Sequence, residues 1–167
     1  MAAEARAHTR ITAVEVPPAA DDAFLADRHG GALHRALRPD VALRFVEFGG
    51  PARAEAGFAA HSGVYEIVEE EGEPEGAGGV LLISLLAAAA DEDDRVVAAR
   101  RRIREAWGSC RGYLGTRLYR DGDDGFRFVE VTRWSSPLMY ARALREPAVA
   151  EALAGPFAGR AALYLAV

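Results

Sequence analysis

The two halves of the chain contain similar strand-like segments. The segment LRFVEF begins at Leu43 and FRFVEV begins at Phe126, and both alternate large apolar residues with other residues, as strands do. Just upstream, Leu33-His34-Arg35 corresponds to Leu118-Tyr119-Arg120. A chain that repeats its segments in this way is expected to build two copies of one supersecondary unit.

The second half predicts the element order βαββαβ. Strands are predicted at 80–86, 113–120, 126–134 and 161–167, and helices at 91–107 and 137–153. Acidic residues open the first helix, arginines follow toward its end, and Gly108 stops it. Ser136 is the expected N-cap of the second helix, with Pro137 at the first helical position.

The first half predicts the same order in a degenerate form. Strands are predicted at 10–16, 32–37, 41–48 and 63–70, with short helices at 20–28 and 51–60. Two βαββαβ units are ferredoxin-like, and each sheet has one face that its helices leave bare. We therefore expect the sheets to pack face to face as an α+β barrel, with helices outside and a cavity between the sheets.

The domain organisation follows from this frame. Residues 1–9 are expected to be disordered, 10–71 to form the first repeat, 72–79 to be an acidic, Gly-rich linker, and 80–167 to form the second, complete repeat.

Composition excludes several classes of protein. The 167 residues carry a net charge of −5, and all basic residues are Arg, so non-specific binding to nucleic acid is not expected. The single cysteine, Cys110, excludes an intramolecular disulfide framework and a Cys-rich zinc site. The longest apolar run, from Val80 to Ala90, is too short to span a membrane, which needs about 20 residues. Because the N-terminus lacks the apolar core of a secretory signal, we expect a cytoplasmic protein that does not associate with membranes.

The segment FRFVEVTRWSSP, from Phe126 to Pro137 and followed by Tyr140, resembles the antibiotic biosynthesis monooxygenase family of dimeric α+β barrel proteins. The resemblance covers the chain from Val80 onward and, more weakly, residues 10–70. Members usually make the barrel by dimerising one ferredoxin-like unit, so the tandem chain looks like that dimer fused end to end. Some members oxidise aromatic polyketides with dioxygen and without metal or flavin.

Those members use a strand Asn, a Trp four residues later and a Tyr on the following helix. The resemblance assigns the last two positions to Trp134 and Tyr140, whereas Glu130 stands at the Asn position. An ionised carboxylate only accepts hydrogen bonds, so Glu130 acts as a base or the chemistry is lost. Alternation places Phe128 and Glu130 on one strand face without deciding whether that face meets the cavity.

The alternative for Glu130 is an ion pair with Arg117, Arg127 or Arg133, or simple exposure. The substrate-binding candidates are Arg160, Tyr119, Phe128 and His61. His61 and Arg160 occupy corresponding positions before the last strand of each half. Arg160 is suited to binding a phenolate, and haem-degrading relatives imply that His61 can ligate haem or transfer protons. No metal site is predicted, because His34 has no second ligand spaced with it.

Three functions fit these residues. The first is a cofactor-independent monooxygenase acting on a planar polyphenol of the polyketide type, with dioxygen as co-substrate. The second is a polyketide cyclase-type enzyme, which needs the base and the cavity but no oxygen. The third is a non-catalytic binder of a small ligand or of haem. An exposed edge strand also leaves a homodimer open.

Overall fold

The computed structural model describes residues 8–27, 30–50, 58–121, 126–157 and 159–167. Its strands are β1 (His8–Glu15), β2 (Gly31–Ala36), β3 (Leu43–Gly49), β4 (Ala59–Gly72), β5 (Val80–Leu86), β6 (Tyr113–Asp121), β7 (Phe128–Trp134) and β8 (Arg160–Ala166). Its helices are α1 (Asp21–Ala26), α2 (Asp93–Gly108), α3 (Pro137–Ala143) and α4 (Pro147–Leu153), with 3₁₀ turns at Pro18–Ala20 and Ala90–Glu92.

The strands close into one barrel in the order β1-β3-β2-β8-β5-β7-β6-β4. Each half contributes four neighbouring strands in equivalent order, β4-β1-β3-β2 and β8-β5-β7-β6. The halves join where β2 pairs antiparallel with β8 and β4 with β6. The predicted α+β class is thus observed, whereas the origin of the halves as copies of one repeat stays a prediction. Every described strand has two neighbours, so the expected exposed edge is wrong.

Alternation along the strands separates an interior core from outer cores beneath the helices. On β7, Val129 and Val131 face the barrel interior, where side chains from all eight strands pack together. Phe128 and Trp134 face outward and pack in two separate clusters under the helices of the second half. Side chains of the described residues therefore pack together in the middle of the barrel, and cavities lie toward its two ends.

The second half follows the predicted order with one difference. The predicted helix over 137–153 is two helices, α3 and α4, separated by a turn before Pro147. Proline has no N–H to donate to the carbonyl four residues earlier, and its ring clashes with that carbonyl, so α3 ends and a new helix begins. At the start of α3, the Ser136 hydroxyl accepts the N–H of Met139 as the predicted N-cap.

The first half differs more. His8 and Thr9, expected to be disordered, pair with β4 as part of β1. The predicted helix over 51–60 lies mostly outside the described residues, and its last two residues, Ala59 and Ala60, belong to β4. At its other end that strand continues past the predicted Glu70 to Gly72, where Glu71 pairs with Arg104 on α2 at 3.2 Å.

Partly buried ion pairs hold two helices against the barrel. Arg44 on β3 binds Asp21 at the start of α1, with 2.8 Å between the closest atoms. Arg127, just before β7, binds Asp93 at the start of α2 at 2.7 Å. Both carboxylates lie at helix N-termini, where a negative charge is favourable.

Candidate functional site

A chamber of about 610 Å³ opens at one end of the barrel interior. Its wall is formed by inward-facing residues of both halves and by the loop from Pro74 to Gly79. The side chains that carry polar atoms or aromatic rings into it include His34, Phe48, Arg117, Tyr119 and Tyr164. A concave, largely apolar space with a few convergent polar groups is the usual form of a small-molecule site.

His34 lies on the chamber wall in the middle of β2. Its ring meets the ring of Phe48 edge-on, with 5.5 Å between the ring centroids. Its Nδ1 is buried and has no hydrogen-bond partner in the described part of the chain. Burial lowers the pKa of His34, and the backbone carbonyls of Ala32 and Val46 oppose part of that effect. The imidazole is therefore neutral near pH 7 and can accept a proton from a ligand.

Arg117 and Tyr119 form the other polar group of the chamber. The guanidinium of Arg117 donates to the Tyr119 hydroxyl over 3.2 Å and lies 5.9 Å from the centre of its ring. Burial raises the pKa of Tyr119, and Arg117 opposes part of that rise. Tyr119 therefore keeps its proton at neutral pH and can donate it in a hydrogen bond. Its ring is 6.3 Å from that of Phe48, the ring that His34 also contacts.

The loop over the chamber is held by Arg133 of β7. The three guanidinium nitrogens of Arg133 donate to the backbone carbonyls of Glu73, Glu75, Ala77 and Gly78 over 2.8 to 3.5 Å. The loop backbone is thus fixed across the chamber by a residue of β7.

Glu130 does not line the chamber, so it does not point into the inter-sheet space as a base acting there would require, and its catalytic role stays a prediction. It lies on the outward face of β7 with no exposed surface, and its Oε1 accepts two N–H groups of Arg100 on α2, at 2.5 and 3.1 Å. The alternative of an ion pair is correct, but its partner is Arg100, which sequence alone did not indicate. Phe128, predicted to contact substrate, is buried in the same outer layer against Val96 of α2.

Trp134 and Tyr140 lie together on this outer face. Trp134 has no exposed surface, and its ring is 5.6 Å from Tyr140, 5.8 Å from Tyr113 and 5.9 Å from Trp107. Trp134 is therefore a core residue of the helix–sheet layer and does not line the predicted pocket mouth. Tyr140 borders a separate cavity of about 540 Å³ between α3 and the outer face of β8. Burial raises its pKa, against the effect of Arg100.

The remaining predicted residues lie at the opposite end of the barrel. Arg160 is the exposed first residue of β8 and borders a cavity of about 200 Å³. His61 lies within β4 and not in a loop before it; it is exposed and contacts the ring of Phe126 at 5.1 Å. Tyr119 alone of the predicted site residues lines the chamber. His34 and Arg117 were missed as site residues, although His34 and Tyr119 hold equivalent places in the two halves.

Within the described ranges, no group of three or more His, Cys, Asp or Glu side chains is arranged to hold a metal ion. None of the helices in these ranges has the length and apolar character needed to cross a membrane.

No family model and no curated protein matches the chain. Among solved structures, an anthrone oxidase-like protein is 13% identical and has a TM-score of 0.70, over 100% of this chain and 94% of that one. A ferredoxin-fold protein related to antibiotic biosynthesis monooxygenases, from Listeria monocytogenes, is 10% identical with a TM-score of 0.56, over 95% and 94% of the two chains. A haem-degrading enzyme from the same organism is 12% identical with a TM-score of 0.53, over 93% and 97%. The chain thus has the fold of antibiotic biosynthesis monooxygenase-like proteins, as the sequence resemblance implies.

Proposed function

We propose that the protein binds a small planar phenol in the interior chamber and oxidises it with dioxygen, without a metal or flavin. One observation carries this proposal: a neutral imidazole and a Tyr–Arg pair share the wall of one chamber that is also lined by aromatic rings. His34 supplies the proton acceptor, and Tyr119 with Arg117 supplies hydrogen-bond donors for developing negative charge. A volume of about 610 Å³ is within the range of ordinary small-molecule sites.

The reaction begins when the neutral imidazole of His34 on the chamber wall accepts the phenolic proton. The phenolate gives one electron to dioxygen, and the resulting carbon radical and superoxide combine as a peroxide on a ring carbon that bears hydrogen. The proton held by His34 passes to the peroxide. Loss of water, which takes one peroxide oxygen and the hydrogen of that carbon, leaves a quinone carbonyl.

Glu130 has a structural role in this proposal. Its carboxylate is fully buried on the outer face of β7, with Oε1 paired to Arg100, so it is not available to a substrate in the chamber. The outer cluster around Trp134 is likewise filled by aromatic rings. The chemistry is therefore proposed to take place inside the barrel, at a different location from the residues that resemble the family motif.

The neighbours in fold support an oxidative function and leave the substrate open. One is described as an anthrone oxidase-like protein and another as a haem-degrading enzyme. We propose a polyketide-like phenol as the substrate. We also propose that the chain arose by fusion of two copies of one ferredoxin-like repeat.

The test is oxygen consumption by the purified protein with an anthrone that bears phenolic hydroxyls. We expect His34→Gln to lower kcat/KM by about a hundredfold or more, the usual contribution of general base catalysis. His61→Gln is the matched control, since His61 is exposed at the other barrel end, and it should leave the rate unchanged. Turnover that continues without oxygen would indicate the cyclase-type alternative, and binding without turnover would indicate a non-catalytic binder.

A further inference from the structure

Arg117 stands where the chamber wall meets the covering loop, and it has three partners. Glu70 faces it directly across the pairing of β4 with β6. Tyr119 accepts from the nitrogen Nη1, and the carboxylate of Glu75 is bound to that same nitrogen. The guanidinium is thus shared between the strands of the barrel and one residue of the loop.

The two carboxylates are held in different ways. Glu70 is fixed by the strand register. The Glu75 side chain is 75% exposed, whereas that of Arg117 is only 14% exposed. Because Arg133 holds the loop through backbone carbonyls, the Glu75 carboxylate can leave Arg117 without moving the loop backbone. Glu75 is therefore the replaceable partner.

We propose that the chamber takes a phenol that also carries a carboxylate, and that Glu75 occupies the place of this carboxylate on Arg117 until the ligand displaces it. The inference rests on the proposed function and names the substrate class of the same site. The phenolic hydroxyl would meet His34, and the carboxylate would meet Arg117. Glu75 then lowers the affinity for acids by competing for Arg117.

Charge balance supports an acidic ligand. Arg117 now has two carboxylates beside it, and a ligand carboxylate in place of Glu75 keeps that number unchanged. A neutral ligand that displaced Glu75 would leave a largely buried guanidinium nitrogen without its anionic partner, which is costly. The site should therefore distinguish an acid from its amide.

The test measures binding of 4-hydroxybenzoate and of 4-hydroxybenzamide by titration calorimetry. We expect the wild-type protein to bind the acid more tightly than the amide. Glu75→Gln should tighten binding of the acid by about two- to fivefold, as expected for removal of a partly exposed ion pair, and leave the amide unchanged. Glu73→Gln is the control, because Glu73 directly precedes this loop and its side chain makes no ion pair among the described residues.

Equal affinity for acid and amide, or no effect of Glu75→Gln, would overturn this inference and leave the proposed phenol oxidation standing. Failure of both compounds to bind would overturn the two together. Arg117→Gln should remove the preference for the acid, which separates the effect of charge from that of chamber shape.

Discussion

Removal of Arg100 should strongly destabilise the protein, because it leaves the charge of Glu130 buried without a partner. The side chains of Arg100 and Glu130 are 1% and 0% exposed, and Arg100 also donates to Ser84 and to the carbonyl of Phe157. Breaking one partner of such a pair costs about 3–5 kcal/mol. For a chain of this size, the Arg100→Met variant should melt roughly 6–20 °C lower than the wild type.

The assay is urea unfolding followed by tryptophan fluorescence. The chain has two tryptophans, Trp107 and Trp134, and both lie in the layer that contains the ion pair. Arg101→Met is the control, because Arg101 is 53% exposed on the same helix and its ion pair with Glu69 is a surface one. That control should cost less than about 1 kcal/mol.

The double variant Arg100→Met/Glu130→Leu separates a buried charge from lost packing. Since neither charge remains, most of the stability lost in Arg100→Met should return, and the two substitutions should be strongly coupled. The reasoning is refuted if Arg100→Met costs no more than Arg101→Met, or if the double variant is less stable than the single one. The double variant should also retain phenol oxidation, which would not survive if Glu130 were the catalytic base.

Two further predictions concern the loop and α2. Gly78 and Gly79 have φ of +79° and +78°, but only at Gly79 would a Cβ approach a backbone carbonyl of β7, at 2.3 Å. Gly78→Ala should therefore lower the free energy of unfolding in urea by about 1–2 kcal/mol, and Gly79→Ala should lower it clearly more. Equal losses would contradict the predicted clash at Gly79. The hydrogen bond from Arg127 lowers the pKa of Asp93 in the folded protein. The ionised Asp93 therefore stabilises the folded state above the unfolded pKa of about 3.9, and this contribution is lost as pH falls through the lower folded pKa. Arg127→Gln should reduce the free energy of unfolding at neutral pH and flatten its decrease in acid, and an unchanged pH profile would be the contrary result.

Local sequence patterns predicted most elements of the second half. The strand at Val80–Leu86 has the predicted bounds, and Ser136 caps α3 as its position indicated. The break before Pro147 was also within reach of sequence reasoning, because a proline inside a predicted helix marks a boundary. The last two residues of β4, Glu71 and Gly72, were not, since the charge of Glu71 is compensated by Arg104, which is distant in sequence.

The candidate site was less predictable for a physical reason. Both faces of β7 are apolar enough to be buried, because one faces the barrel interior and the other faces α2. Alternation groups Glu130 with Phe128 but does not say which layer they enter. Glu130 enters the outer layer because it pairs there with Arg100. Arg100 lies on the charged part of a helix that also has exposed arginines, so the sequence does not single it out. Correspondence between the two halves of the chain predicted the chamber residues better than strand alternation did. It pairs His34 with Tyr119, and both line the chamber.

The central claim is that the ligand binds inside the barrel and not on the outer face beside Tyr140. A crystal structure of the protein soaked with a bicyclic phenol such as 1-naphthol tests this most directly. The account predicts density for the phenol in the chamber, with its hydroxyl within hydrogen-bond distance of His34. Density in the outer cavity against Tyr140, with the chamber free of ligand, would contradict it.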